Sequence, residues 1–407
     1  MMTATERLEA SWLSLPETVA VMAALNAARP DTARFVGGCV RNTLRGAPVD
    51  DIDIATQLTP EETLAALKAA DIRAIPTGIE HGTITAIMNS RPFEITSLRR
   101  DVETDGRRAV VAFTQDWEED AQRRDFRLNA IYASADGTLH EVVPGSIQDA
   151  IDGQVIFIGE ADQRLREDYL RILRFFRFNA WYGAGIDEAG LAACARQKEG
   201  LAQIAAERIW KELKRLLQAP DPSDALLAME DSGVLAAILP GATASEIPSL
   251  VGVEAETGLS PDPMQRLMAL VPRRVREVSQ LAHHLRLSNA EADRLTGWAA
   301  PALGHVLEEG QESWSEAFYR HGAETIIDRA VIEAAQHATP DRLKALLDTV
   351  ADWSRPEFPL GGADALSAGL KGAEIGAALR AAEEAWITSG FKLGRADLLS
   401  YLNSSPE

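Results

Sequence analysis

Cysteine is scarce in this chain, whose 407 residues include only Cys39 and Cys194. Two cysteines provide neither a disulfide framework nor the paired spacing of a structural zinc site, and they are typical of a reducing compartment. No apolar run approaches the roughly 18 residues that a membrane helix needs, and the first residues lack the basic and then apolar pattern of a signal peptide. We therefore expect a cytoplasmic protein with no membrane partner.

Basic residues are also in short supply, because the net charge at pH 7 is −20. Taken alone, this charge disfavours a nucleic-acid partner, since phosphate binding usually requires a basic surface. The balance is uneven, however: residues 221–407 have a net charge of −13, whereas residues 164–215 have +4. A polyanion would bind at this locally basic segment.

The pattern of the chain changes near residue 160. Before it, short β-rich runs are interrupted by Gly, Pro and Asp: ARFVGG, DIDIA, TITAIM, PFEITSL and VIFIG. After it, apolar residues recur at helical spacing. The sequence therefore predicts an α/β head with a small mixed or antiparallel sheet, followed by an all-helical remainder.

Acidic residues in two predicted strands could form a metal site. Asp51 and Asp53 flank Ile52, so in a strand their side chains point to the same face, and Glu94 lies in a second alternating run. Three such carboxylates can hold two Mg²⁺ ions about 3.5–4 Å apart, which align a hydroxyl and neutralise a triphosphate. An ordinary edge strand or turn is the alternative for this Asp-x-Asp.

Gly37 and Gly38 precede Arg41 just before these aspartates. A backbone without Cβ atoms can approach phosphate oxygens closely, and an arginine adds positive charge. The alternative is that Gly-Gly only forms a turn.

The segment 164–180 predicts one amphipathic helix. One face carries apolar side chains: Leu165, Tyr169, Ile172, Leu173, Phe176 and Ala180. The other half is charged, yet Leu170, Phe175 and Phe178 fall within it, which favours a face covered by another domain or a base over a solvated one. Asp168 and Arg171 are surface neighbours there, and a carboxylate with a guanidinium can read the edge of cytosine or adenine. A plain intrahelical ion pair is the competing interpretation.

Four motifs in fixed order resemble one family. GGCVRNTLRG with DIDIAT, then RRDFRLNA at 123–130, REDYLRILRFFRF at 166–178 and ERIWKEL at 207–213 are similar to the bacterial class II tRNA nucleotidyltransferases and their poly(A) polymerase relatives over roughly the first 235 residues. The resemblance implies a polymerase-beta-like nucleotidyltransferase head that rebuilds the 3′-terminal CCA of tRNA from CTP and ATP with Mg²⁺. The implied parts are a head at 1–160, a nucleotide-selecting neck at 161–235, and a body at 236–350 and a tail at 351–407 that hold tRNA.

The resemblance also implies roles for further residues. Asp51, Asp53 and Glu94 would be catalytic metal ligands, Asp125 and Asn129 would lie near the ribose, and Glu167 would orient Arg171. Other arginines would bind the nucleotide, mainly its phosphates: Arg99, Arg123, Arg124 and Arg174. A ribose 2′-hydroxyl contact would reject deoxynucleotides.

The chain departs from the family at three positions and keeps a loop. Asn42 stands where aspartate is usual, Val143 where aspartate is common before proline, and Arg127 where threonine is common. None of these removes a metal ligand. His283 and His284 lack the spacing of a phosphohydrolase site.

Residues 101–108 have no apolar periodicity and predict a mobile loop over the site, with an inert hairpin connection as the alternative.

The resemblance favours complete CCA addition. A poly(A) polymerase, a partial CC- or A-adding enzyme, and a catalytically inert tRNA-binding homologue remain open. The intact acids Asp51, Asp53 and Glu94 disfavour the inert homologue.

Overall fold

The computed structural model describes residues 7–104, 109–300, 303–308 and 310–403. It divides into two compact units, Met1–Pro240 and Gly241–Glu407. The predicted head and neck therefore lie together in the first unit. The finer boundaries at 160, 235 and 350 stay a prediction.

The first unit contains nine described strands. They are β1 Ala33–Val36, β2 Asp53–Thr56, β3 Arg73–Gly78, β4 Thr83–Met88, β5 Arg91–Ser97, β6 Arg99–Thr104, β7 Ala109–Phe113, β8 Ile131–Ala133 and β9 Leu139–Glu141. Seven of them form one sheet in the order β3-β4-β5-β2-β1-β8-β9, and β6 pairs with β7. The β2–β5 pair is parallel and the other described pairs are antiparallel, which confirms the mixed sheet.

Strand β5 shows why the sheet forms. Phe93 and Ile95 are buried on one face while Glu94 between them is exposed, as the two-residue period of a strand requires. β4 and β5 are joined by Asn89 and Ser90, both at positive φ (49° and 65°). Positive φ at both central residues is typical of the tight type I′ hairpin turn, which fixes the register of the two strands.

The first unit also contains eleven described α-helices. They are α1 Pro16–Ala28, α2 Gly38–Leu44, α3 Pro60–Ala69, α4 Trp117–Gln122, α5 Ser146–Asp152, α6 Ala161–Glu167, α7 Leu170–Tyr182, α8 Glu188–Gln197, α9 Ala206–Leu217, α10 Ser223–Asp231 and α11 Val234–Ile238.

Aromatic packing joins α7 to the head. Phe175 stacks on Phe157 with ring centroids 5.5 Å apart, and Phe178 lies 5.2 Å from Phe126. Both α7 rings are buried. These contacts explain the apolar residues within the charged sector of this segment, because the head covers them.

Three local predictions were wrong. The segment 164–180 is two helices, since Asp168 has an extended backbone (φ −153°, ψ 105°) and ends α6. VIFIG is not a strand and makes only an isolated bridge between Phe157 and Phe126. Residues 101–104 belong to β6, where a loop was expected, while 105–108 lie outside the described residues.

The second unit is helical in its described part. Its helices are α12 Ile247–Thr257, α13 Pro263–Leu270, α14 Val275–His284, α15 Asn289–Ala299, α16 Gln311–His321, α17 Ala323–His337, α18 Pro340–Asp352, α19 Gly362–Ser367, α20 Ala373–Thr388 and α21 Arg395–Asn403. Buried ion pairs link them, such as Arg266 with Glu254 at 2.6 Å. Among the described helices, none has the length and apolarity to cross a membrane.

Candidate active site

A cavity of about 550 Å³ lies in the first unit, where the sheet meets α7 and α9. Eight arginines and three aspartates supply most of its lining: Arg41, Arg99, Arg123, Arg124, Arg171, Arg174, Arg177, Arg208, Asp53, Asp125 and Asp168. Gly37, Gly38 and Asn129 also line it. The cavity thus concentrates positive charge within a chain of net charge −20, as a polyphosphate ligand requires.

Of the three predicted catalytic acids, Asp53 lines this cavity, while Asp51 and Glu94 are its neighbours outside the lining. Asp53 opens β2 and is the direct register partner of Glu94 in β5, so both side chains leave the same face of the sheet. Asp51 is exposed, two residues before Asp53 and outside the strand that was predicted to contain it. Burial, followed by the neighbouring Glu94 and by Asp51, raises the pKa of Asp53 to about 6.

This like-charge repulsion is what a divalent cation relieves, and carboxylate oxygens are the ligands that Mg²⁺ prefers. Within the described ranges, no three His, Cys, Asp or Glu side chains are already close enough together to hold a metal. Glu94 and Asp51 are both exposed. The donor set fits the ion.

Gly37 lies between β1 and α2 with a φ of 71°, a backbone conformation that glycine adopts without strain. A Cβ atom at this position would lie 3.9 Å from Nη1 of Arg124. Gly38 approaches Arg41 in the same way, because its Cβ would lie 3.9 Å from Nη2. The glycine pair therefore lies directly beside the two guanidinium groups.

Arg41 is buried and held from several directions. Its Nη1 donates to Oδ1 of Asn129 at 2.5 Å, and its guanidinium carbon lies 3.9 Å from the ring centroid of Tyr182. Asn42, where the family usually has aspartate, accepts from Nη2 of Arg41 at 2.9 Å. The substitution thus keeps a hydrogen bond to this arginine and loses only the charge.

Asp125 connects the predicted ribose site to the neck. Its Oδ2 accepts from Nε of Arg174 at 2.7 Å, and its Oδ1 accepts from Nδ2 of Asn129 at 3.1 Å. Asp125 is buried, and although burial alone raises its pKa, Arg174 and Asn129 lower it further than that. The carboxylate is therefore charged and fixed in direction.

The predicted base-reading pair, Asp168 and Arg171, lies where α6 ends and α7 begins. Glu167, which is expected to orient Arg171, is the last residue of α6. Nη1 of Arg171 donates to Oε2 of Glu167 at 2.6 Å, and Nη2 donates to the carbonyl of Arg123 at 3.0 Å. Asp168 does not pair with Arg171; its Oδ2 accepts from Nη2 of Arg208 in α9 at 2.8 Å. Asp168 and Arg171 both face the cavity, each held by a different partner.

Arg99, at the start of β6, donates through Nη1 to the carbonyl of His81 and lines the cavity. The hairpin of β6 and β7 therefore begins at the cavity wall. Whether its tip, residues 105–108, extends over the site lies outside the described residues.

Sequence reasoning missed Asp120, Arg177 and Arg208. Asp120 is 1% exposed in α4, and both of its carboxylate oxygens contact the predicted phosphate arginines, Arg123 at 2.7 Å and Arg124 at 3.0 Å. Asp120 precedes Arg123 by three residues and Arg124 by four. This spacing was the available signal, since it brings side chains together on one helical face. Arg208 stood within the recognised motif ERIWKEL and was passed over.

The remaining departures lie away from the cavity lining. Arg127 pairs with Asp149 at 2.6 Å, and Val143 is buried in a hydrophobic cluster of the head. His283 and His284 are both exposed at the end of α14, on a helix as expected.

Comparison with known proteins gives two matches to family models. The poly(A) polymerase head domain matches residues 33–156, and the probable RNA and SrmB-binding site of polymerase A matches residues 185–245. The first match contains the strands that carry Asp53 and Glu94, and the second contains α9.

Curated proteins match over most of the chain. The chain is 36% identical over 391 residues to the mitochondrial CCA tRNA nucleotidyltransferase 1 of Mus musculus, covering 91% of this chain and 86% of the mouse protein. It is 37% identical over 215 residues to the CCA-adding enzyme of Geobacillus kaustophilus, 52% of each.

Solved structures share the fold. The CCA-adding enzyme of Bacillus stearothermophilus in complex with CTP has a TM-score of 0.77 at 24% identity, with 95% of this chain and 96% of that chain covered. The Thermotoga maritima CCA-adding enzyme complexed with tRNA has a TM-score of 0.68 at 17% identity, covering 98% and 96%.

Proposed function

The chain belongs to the CCA tRNA nucleotidyltransferase family, and from that premise we propose that it adds C, C and A in turn to the 3′ end of tRNA, using CTP and ATP and no nucleic-acid template. The observation that carries the proposal is the cavity lined by eight arginines and bordered by Asp53. It offers positive charge for a triphosphate, a carboxylate edge for the reacting groups and a neck wall for the base.

In this proposal Asp51, Asp53 and Glu94 hold Mg²⁺ ions, which would neutralise the triphosphate and lower the pKa of the attacking 3′-hydroxyl. Arg41, Arg123 and Arg124 bind phosphate oxygens beside Gly37 and Gly38. Arg99 contributes charge from the hairpin side. Burial of Asp53 and the proximity of Glu94, which raise the pKa of Asp53 to about 6, support a site made for a cation.

Asp125 and Asn129 bind the ribose, and Arg174 keeps the Asp125 carboxylate in place. Asp168 accepts from the exocyclic amine of cytosine or adenine, while Arg171 donates to the adjacent ring acceptor. Glu167 orients Arg171 through their 2.6 Å contact. Uracil and guanine present a carbonyl where the amine is required, so they are rejected.

We also propose that residues 161–235 form the nucleotide-selecting neck and that 236–350 and 351–407 hold tRNA. The match of residues 185–245 to an RNA-binding model supports RNA contact by the second part of the neck and the beginning of the body. The cytoplasmic location remains a prediction, because the mouse relative is named mitochondrial.

The deciding experiment supplies tRNA that lacks its 3′ end with one labelled nucleotide at a time. We expect two CMP residues from CTP alone and one AMP only after CTP has been supplied. The match to a poly(A) polymerase head favours one competing outcome, long AMP tails from ATP alone. Such tails would replace our proposal with poly(A) synthesis, and no incorporation of any nucleotide would indicate an inert homologue.

A further inference from the structure

The carboxylate of Asp120 contacts two of the cavity arginines, one through each of its oxygens. Its Oδ1 accepts from Nε and Nη2 of Arg123 at 2.8 and 2.7 Å. Its Oδ2 accepts from Nε and Nη2 of Arg124 at 3.3 and 3.0 Å, and from the hydroxyl of Tyr132 at 2.9 Å. One carboxylate therefore holds two adjacent guanidinium groups side-on.

The side-on arrangement uses the same two nitrogens of each arginine and leaves Nη1 outside the Asp120 contact. Nη1 of Arg124 lies beside the Gly37 turn and makes a long contact of 3.5 Å with the carbonyl of Asn129. Both arginines line the cavity. Arginines bind phosphate through pairs of N–H groups in fixed directions, so the orientation of each fork decides how well it fits.

The local charges also favour this arrangement over an ordinary ion pair. Two guanidinium groups next to each other in the chain repel when no anion lies between them, and Asp120, 1% exposed, occupies that position. A single carboxylate leaves the trio with one net positive charge. The positive charge that faces the cavity therefore persists while the repulsion is removed.

We propose that Asp120 is a positioning residue for the triphosphate: it sets Arg123 and Arg124 so that they bind the phosphates beyond the first one and not the base or the ribose. This inference rests on the proposed nucleotide site. Its signature is a dependence on phosphate number, because a residue that only stabilised the fold would weaken all nucleotides alike.

The test compares Asp120→Asn with the wild type in binding of CTP and CMP by calorimetry, without RNA. The amide keeps the size but places an N–H donor against the arginines. We expect the Kd of CTP to rise at least tenfold and that of CMP to change by less than twofold. Asp149→Asn is the matched control, because Asp149 is also buried and pairs with an arginine, Arg127, that does not line the cavity. The Kd values of this control for CTP and for CMP should both stay within twofold of the wild-type values.

Two results would overturn the inference: wild-type CTP affinity in Asp120→Asn, or an equal loss of CTP and CMP. If circular dichroism shows that Asp120→Asn is unfolded, Asp120→Glu is used instead, because it keeps the negative charge but displaces both guanidinium groups. Wild-type CTP affinity in a folded Asp120→Glu variant would equally overturn the inference. Transfer to tRNA by the wild type is measured in parallel. If the wild type transfers no nucleotide to tRNA, the proposed function is contradicted. If the wild type does transfer nucleotides and Asp120→Asn binds CTP as tightly as the wild type, only the role of Asp120 is contradicted.

Discussion

Asp53 and Glu94 are register partners in the parallel pairing of β2 and β5, so two carboxylates about 40 residues apart in sequence lie side by side on one face of the sheet. The two carboxylates repel each other, since burial and Glu94 raise the pKa of Asp53 to about 6, and a cation between them would relieve this repulsion. The proposed metal chemistry depends on this pair.

Replacing Asp53 with asparagine should abolish nucleotide transfer. The amide matches the carboxylate in size and removes one negative charge from the proposed metal site, so the fold and the affinity for tRNA should remain nearly unchanged. Labelled CMP incorporation, thermal unfolding and a gel-shift titration measure the three properties. Wild-type turnover with Mg²⁺ present would refute the assignment.

Alanine at Asp168 or Arg171 should relax the preference for CTP and ATP over UTP and GTP. A good bidentate base contact supplies about 1–3 kcal/mol of discrimination, so the ratio of kcat/KM values should fall roughly five- to 150-fold. Asp162→Ala is the control, because Asp162 forms an exposed ion pair with Arg196 in the same segment but does not line the cavity. Uniform slowing with all four nucleotides would indicate a structural role instead.

Arg208→Ala should weaken selection in the same direction as Asp168→Ala, but by less. Arg208 holds the Asp168 carboxylate at 2.8 Å from the neighbouring helix, so its loss frees the acid to rotate while leaving it present. Competition between CTP and UTP in one reaction gives the ratio directly. An unchanged ratio would show that Asp168 needs no support from α9.

Deleting residues 102–107 should leave CMP incorporation largely intact and abolish AMP addition. A pocket that accepts first a pyrimidine and then a purine must change shape between the two steps. The hairpin of β6 and β7, from which this deletion removes the end of β6 and part of the connection to β7, begins at Arg99 in the cavity wall. The products are separated on a sequencing gel. Loss of both steps, or retention of both, would make this segment a connector.

The contribution of Asp120 to stability should disappear in acid. Burial raises the pKa of this group, but Arg124, Arg123 and the Tyr132 hydroxyl lower it more, to about 2 from 3.8. A lowered folded-state pKa stabilises the protein above pH 4 by about 2 kcal/mol, and that free energy is lost as the pH falls toward 2. Urea unfolding of wild type and Asp120→Asn should therefore differ at pH 6 and converge near pH 2; a constant gap would contradict the ion-pair origin.

Sequence patterns located the acids and most of the cavity, because they depend on residue type and local period. The alternation predicted strands at Asp53 and at Glu94, and β2 and β5 confirm them, but it wrongly extended the first strand to Asp51. The RRDF motif predicted that Arg123 and Arg124 lie at the site, and both line the cavity. The pairing that brings the two strands into register is a long-range event with no local signal. The distance between the Asp53 and Glu94 side chains could therefore not be obtained from the sequence.

The errors have physical causes as well. Asp168 ends α6 without glycine or proline. Its Oδ1 accepts locally from the backbone N–H of Leu170 at the start of α7, and its Oδ2 accepts from Arg208 of α9, a tertiary contact that the sequence does not show. Asp120 stands in the acidic run WEEDAQ and looks like a solvent-exposed first turn, yet Arg123, Arg124 and Tyr132 bury it. A carboxylate becomes internal when enough donors surround it, and donors from another strand leave no periodic pattern.

The Asn89–Ser90 turn determines which codon losses the gene can tolerate. Two residues are the shortest connection that β-hairpins commonly use, so this turn cannot absorb the loss of one. A one-codon deletion anywhere from Asn89 to Phe93 must therefore be taken up by β5 itself, whose side chains would all change face. Glu94 would enter the core and an apolar neighbour would take its place beside Asp53, so a one-codon deletion that spares Glu94 itself would still remove it from the proposed metal site.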